Sequence, residues 1–335
     1  MNDEKKIVNQ YEYPGFMASA LAIHGSVTPK VLKQVLFAVL YGALISVISL
    51  YIPALTIPIS PFEYAGLLMG LILVFRINAG YDRWWEARKL WGSVVNTSRN
   101  LAIIVTNYIP SKREKSIEQL IQYIAAMPYL MKNNLRLNTS VDEVEHLLDK
   151  STIAALKNIE HKPNYISSRM AACFAKLLAE NNINQFSYLK AEECRQIIID
   201  CQGALERILK TPMPFVMAIK SRRFILLFLI ILPIALVNYS VYISPMVTGL
   251  VAYGLLSLDQ IGVELQNPFC QTKLSHLPLG EICKTIEKNV TEIYQKAPPL
   301  SGIQDPHVDI ASKVVTEEGI RFISNDVAQQ GGELT

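Results

Sequence analysis

The sequence predicts an all-α integral membrane protein, with four membrane-inserted helices in two hairpins that continue into a cytoplasmic helical bundle. Three observations predict it. None of the 32 Lys and Arg residues falls in 34–75 or 224–272, and each window holds two apolar segments joined by a short turn. Cations crowd the same side of both windows, at Lys30, Lys33, Arg76, Arg83, Arg88, Lys220, Arg222, Arg223 and Lys273. Lys and Arg beside membrane helices favour the cytoplasmic face, so one topology satisfies every flank. Both hairpins, about 34–75 and 224–258, enter from the cytoplasm and leave both termini and the middle region inside. Finally, the region 96–220 repeats apolar residues at helical spacing and shows no useful strand alternation.

Composition narrows the class. Half the residues are apolar, yet 18% are charged, too many for a chain wholly in lipid. A net charge of +3 over 335 residues leaves no basic footprint of the kind nucleic acid requires. Five cysteines, Cys173, Cys194, Cys201, Cys270 and Cys283, contain no CxxC pair and lie on the cytoplasmic side of the charge pattern. Reduced thiols are expected there, with Cys194 and Cys201 packed on one helix face. The first 30 residues are largely polar and carry no apolar core of the signal-peptide kind.

The first segment, about 35–57, is long enough to cross a ~30 Å hydrocarbon core, with Pro53 and Pro58 breaking it near the outer face. The second is uncharged only over 64–75, too short to span alone. It must continue as helix into 76–88 or be shielded by protein. The third, 224–237, and fourth, 241–258, join through Asn238-Tyr239-Ser240, and Pro233 and Pro245 predict kinks. In the second segment, Gly66 and Gly70 would allow close helix approach. Leu67, Leu71 and Phe75 form an i, i+4, i+8 stripe. Spacing alone fits lipid contact or core packing as well as a hydrophobic constriction, in which a narrow apolar ring opposes a hydrated ion. Glu63 stands at the outer end of this helix.

All three tryptophans of the chain follow within eight residues, at Trp84, Trp85 and Trp91. As a local pattern this is an amphipathic helix leaving the bilayer, with Arg83 in reach of Glu86 at i+3. The stretch Phe75-Arg76-x-Asn78-x-x-Tyr81-x-Arg83-Trp84-Trp85-Glu86-Ala87-Arg88-x-x-Trp91-Gly92 resembles the signature region of the bestrophins in their bacterial form. Two later segments agree in order and placement: Thr211-Pro212-Met213-Pro214-Phe215 before the third segment, and Gly262-Val263-Glu264-Leu265-Gln266-Asn267-Pro268-Phe269 after the fourth. The resemblance covers about 15–290.

That resemblance implies a homopentameric ion channel with one central pore and no cofactor, whose partners are its own copies, the lipid bilayer of the cell membrane and the permeating monovalent ions. It implies a single domain over 1–297 and leaves 298–335 as a polar tail. The family's hydrophobic neck falls on Leu67, Leu71 and Phe75, and its cytoplasmic aperture falls near Phe186. The family is best known for chloride conduction, so anions are the expected cargo. A ring of Glu63 would instead favour cations if it faced the axis. Animal bestrophins follow Asn-Pro-Phe with an acidic calcium clasp. Here Cys270 to Ser275 contain no acid and one cation, Lys273, so direct calcium activation is not expected at this loop.

In the soluble region, Ser140-Val141-Asp142-Glu143 has the form of a capping box. Breaks are expected after 116–127 at Pro128, and at Asn133/Asn134, Lys162-Pro163-Asn164 and Asn181-Asn182. His24, His146, His161, His276 and His307 are scattered, with no HExxH motif and no Cys partner at metal spacing. No GxGxxG, Walker-type loop or nucleophile elbow occurs, and Asp200 and Glu206 read as a solvated face. An enzyme is therefore not expected. A secondary transporter would need interrupted helices meeting at a polar midplane site, but the acids Glu63 and Asp259 sit at segment ends. A membrane scaffold would leave the Leu67, Leu71 and Phe75 stripe as packing only.

Overall fold

The computed structural model describes residues 15–23, 25–52, 57–110 and 114–296. His24, Pro53, His307 and the whole segment 298–335 lie outside the described residues. Among the described residues the fold is helical throughout, with no strand. After a five-residue turn of helix, α1 (Phe16–Ala20), come α2 (Thr28–Tyr51) and α3 (Ser60–Tyr108). The next helices are α4 (Glu114–Leu135), α5 (Lys150–Lys157), α6 (Lys162–Ala179) and α7 (Gln185–Lys210). The chain then forms α8 (Phe215–Leu236), α9 (Ser244–Leu265) and α10 (Leu279–Gln295).

The short second segment is resolved by continuation. Its residues are the first turns of α3, a single helix of 49 residues and ~74 Å. One face of α3 is buried from Met69 onward, through Met69, Leu73, Arg76, Gly80, Ala87, Trp91 and Val94. The steps of three and four keep this seam against the rest of the chain. Helices α2, α3 and α9 are each long and apolar enough to cross a membrane. Helix α8 is apolar from Phe224 but begins with Lys220, Arg222 and Arg223, which shortens its apolar run.

Two cores result. Ala38, Met69, Leu73, Ile225, Phe228, Leu229, Leu232 and Ala252 join α2, α3, α8 and α9. The larger core joins α4, α6, α7 and α10 to the second half of α3, around Trp91, Tyr123, Ile124, Phe174 and Phe269. Close contact between α2 and α9 depends on Gly249, where an added Cβ would lie 2.5 Å from a Val39 methyl, and on Gly42 against Pro245.

Several local expectations change. Helix α2 starts at Thr28 and stops at Tyr51, because the residue before Pro53 is pushed out of the helical region; Ile52 has φ −128° and ψ 79°. Pro245 sits in the first turn of α9, where its missing N–H costs nothing, so it starts the helix rather than bending it. Helix α4 runs through Pro128 to Leu135, held by burial of Ile124, Met127, Tyr129 and Met131 around it. The capping box does not form. The Ser140 hydroxyl accepts from Asp142 N at 3.1 Å, the next turn is a short 3-10 helix, and Glu143 reaches Lys132 instead. Gly66 lies beside Phe228, but a Cβ on Gly70 would meet nothing within 4 Å, so only one of the pair serves packing within the chain.

Candidate functional site: the exposed stripe and its charged anchors

The face of α3 opposite its buried seam carries the predicted stripe. Leu67 is 75% exposed, Leu71 51% and Phe75 61%. Three large apolar side chains facing outward over ~12 Å of helix leave substantial apolar surface without a partner among the described residues. Glu63, one turn before Leu67 on the same face, is exposed in the first turn of α3.

Below the stripe, α3 is tied to the other helices by charge. Arg76, 2% exposed, forms an ion pair with Asp259 of α9. Arg222 Nε of α8 donates to the other oxygen of Asp259 at 3.1 Å. One carboxylate thus joins three helices, while Arg76 Nε and Nη2 have no partner among the described residues. One turn of helix plus a few residues on, Arg83 donates to the carbonyls of Thr211 (2.6 Å), Ile208 and Gln266 (3.4 Å). These are C-terminal carbonyls of α7 and α9, which have no intrahelical donors, so a guanidinium fork suits them. Arg83 therefore does not pair with Glu86, which accepts from Arg207 at 2.8 Å. A third tie links α2 and α9: Glu264, 1% exposed, accepts from Lys30 Nζ (2.8 Å), Gln260 Nε2 (2.7 Å) and Leu274 N (2.8 Å).

The aromatic residues divide. Tyr81, Trp84 and Trp85 stack with centroids 6.2–6.4 Å apart. Trp84 Nε1 also donates to Ser275 O at 2.7 Å, whereas Trp91 is wholly buried with its Nε1 unpaired. Asn78 and Arg88 are exposed on α3. Pro214 precedes α8 and Pro212 is exposed beside it. In Asn267-Pro268-Phe269 the Asn267 side chain accepts from Phe269 N at 3.0 Å, and Pro268 O accepts from Leu277 N at 2.8 Å. Phe269 is fully buried in the larger core, and its carbonyl accepts from Arg136 Nε at 3.3 Å. The motif is a corner anchored in the bundle.

Phe186 lies far from the stripe. The Arg207–Glu86 pair and the contact of Cys201 with Ser93 set α7 antiparallel to α3. Phe186, 86% exposed at the start of α7, is therefore ~33 Å of helix from the Arg83 level and further still from Phe75. The Asn184 side chain caps that end by accepting from Ser187 N at 2.8 Å.

Glu206 is not a solvated face residue. It accepts from His161 (2.7 Å), Gln202 (2.7 Å) and Lys210 (3.2 Å). Burial raises its pKa, but these donors outweigh it and leave the carboxyl below its ordinary range. The sequence marks Asp259 only as an acid at a segment end and Glu264 only as part of the motif after the fourth segment, and does not single out Gly80, against which Leu265 packs. Arg76 lies 183 residues from Asp259 and Lys30 lies 234 residues from Glu264, separations that no local pattern bridges. Among the described residues no group of three or more His, Cys, Asp or Glu could hold a metal ion.

An all-helical membrane protein with a large helical bundle beside its apolar helices is the class this fold defines. The family model for the bacterial/fungal bestrophin protein matches residues 7–292, and the chain belongs to that family. It is 31% identical over 278 residues to a protein of Synechocystis sp. named a voltage-dependent anion channel-forming protein, covering 82% of this chain and 90% of that one. A protein of the same name from Escherichia coli strain K12 is 29% identical over 86% of this chain and 94% of its own length. The crystal structure of a bacterial bestrophin homologue from Klebsiella pneumoniae superposes with a TM-score of 0.74 at 26% identity, over 80% of this chain and all of that one. The family and these relatives are channels rather than enzymes.

Proposed function

We propose that the chain is one subunit of a homopentameric bestrophin-type channel of the cell membrane. It passes small monovalent ions, chiefly chloride and other anions, through a neck formed by Leu67, Leu71 and Phe75. The observation that carries this reading is the exposed apolar stripe on a helix whose opposite face is buried from Met69 onward. Copies arranged about an axis would turn the stripe into a ring. A ring ~12 Å deep is costly for a hydrated ion until it widens. The distance of Phe186 from the stripe fits a separate aperture at the cytoplasmic exit. The name carried by the relatives favours anions.

In this reading all four apolar helices enter the bilayer, both termini are cytoplasmic, and one domain fills 1–297. The motif residues Arg76, Arg83, Trp84, Glu86 and Trp91, with the 267–269 corner, hold the neck helix on its bundle. Exposed Glu63 supports a second reading, a monovalent-cation channel of the same fold, because an acidic ring at the mouth attracts cations. The reversal potential of purified protein in a planar bilayer under a KCl gradient decides. A shift toward the chloride equilibrium potential establishes the anion channel, and a shift toward that of potassium transfers selectivity to Glu63. Absence of current both in the wild type and in the triple Leu67→Ala, Leu71→Ala, Phe75→Ala variant overturns the channel reading. Loss of stability without added current in that variant would favour a scaffold.

A further inference from the structure

A cavity of about 860 Å³ opens between α2, α8 and α9, away from the exposed stripe. Its walls are apolar, with Phe37, Tyr41, Ile225, Leu229 and Leu256 among them. Its mouth is charged, by Lys33 and Arg222. On α2, Lys33, Phe37 and Tyr41 follow at i, i+4 and i+8; on α8, Arg222, Leu226 and Leu229 follow at i, i+4 and i+7. Each wall thus places a cation at one end of an apolar stripe ~12 Å long. Both cations lie at the ends of the cation-free windows, the level where the bilayer meets the cytoplasm.

The charge at the mouth is not neutralised. Asp259 also lines the cavity, but its other oxygen is held by Arg76. Among the described residues only Nε of Arg222 has a partner, and Lys33 Nζ has none. A second copy of the chain packed here through apolar side chains would bury Lys33 with no counter-charge and Arg222 with only a carboxylate it shares with Arg76, in a low-dielectric interface. An anionic lipid matches both parts, since its acyl chain fits an apolar cavity of this size and its headgroup meets the guanidinium and ammonium. We propose that the cavity is a binding site for one anionic membrane phospholipid per subunit, its headgroup held by Arg222 and Lys33. Arg222 shares Asp259 with Arg76 of the neck helix, so the headgroup would act on a group directly linked to α3. The site rests on the membrane placement of the proposed channel and not on its ion selectivity.

The test uses full-length protein in nanodiscs of equal phosphatidylglycerol and phosphatidylcholine, followed by partial delipidation and native mass spectrometry. The expected result is phosphatidylglycerol retained at one per subunit in preference to phosphatidylcholine. Lys33→Gln and Arg222→Gln should each weaken retention about five-fold, the weight of one basic residue near an anionic surface. Leu229→Trp, which fills the cavity, should abolish retention in protein that stays monodisperse. Equal retention of the two lipids, or undiminished retention in both charge variants, overturns the proposal. Dissociation of the oligomer by Leu229→Trp with phosphatidylglycerol retention unchanged overturns it too, and assigns the face to a subunit interface. Wild-type protein that conducts but retains no phosphatidylglycerol refutes this site alone. Retention without current in any condition refutes the channel and leaves the site standing.

Discussion

Asp259→Asn should be among the most destabilising single changes near the membrane boundary. The carboxylate is the counter-charge for Arg76, whose side chain is 2% exposed and already leaves two guanidinium nitrogens without partners. Removing one member of a buried ion pair strands the other and costs roughly 3–5 kcal/mol. At ~2 °C per kcal/mol, the lower end expected for a long chain, this lowers the melting temperature by ~6–10 °C. Arg222→Gln removes the second arginine of the same cluster, but that side chain is 55% exposed, so the loss should stay within ~1 kcal/mol. Replacing the pair together, Arg76→Met with Asp259→Leu, should recover most of the loss, because no charge is then stranded. Thermal unfolding of detergent-purified protein followed by size-exclusion chromatography measures all three. If Asp259→Asn costs no more than Arg222→Gln, the buried-pair reasoning is wrong.

Other expectations are independent of that cluster. Glu63→Gln should move the reversal potential away from the potassium value if Glu63 lines the mouth, and leave it unchanged if permeation is governed elsewhere; bi-ionic recordings distinguish these. Asp149 caps α5 by accepting from Thr152 N at 3.0 Å and from the Thr152 hydroxyl at 2.6 Å. Hydrogen bonds from Ser151 and Thr152 lower its pKa from 3.8 to about 2. A depressed carboxyl stabilises the fold above its unfolded pKa, so this contribution is lost as pH falls from about 4 through about 2. Asp149→Ala should cost ~1 kcal/mol at neutral pH, read by denaturant unfolding, and the difference from wild type should vanish at the acid end. Burial pushes the Cys283 thiol up to about 12, whereas the Thr272 hydroxyl holds the Cys270 thiol below its ordinary value. Maleimide labelling at neutral pH should therefore reach Cys270 first and leave Cys283 unmodified in folded protein, as peptide mapping would show.

The sequence by itself determined where the chain is apolar, which side of each apolar run is cationic, and that the remainder is helical. These are properties of local composition and period, and they hold before any contact forms. It also carried the motifs that mark the family, including Arg76, Arg83 and the 267–269 corner. The tertiary structure alone decided what those residues touch. The Arg83 side chain has a candidate partner three residues away, Glu86, yet three carbonyls of α7 and α9 surround it once the helices pack. A half-buried fork with several carbonyl acceptors outweighs an exposed i+3 pair worth ~0.2–0.5 kcal/mol. Pro128 likewise reads as a stop by propensity, but burial of its neighbours carries α4 past it. Asp259 reads as an ordinary acid at a segment end and becomes a three-helix tie only because α3 and α8 bring Arg76 and Arg222 to it; Glu264 ties α2 to α9 only because Lys30 reaches it across 234 residues. Periodicity marked the stripe of Leu67, Leu71 and Phe75; packing alone showed that the opposite face of α3 is the buried one, so that the stripe is left uncovered.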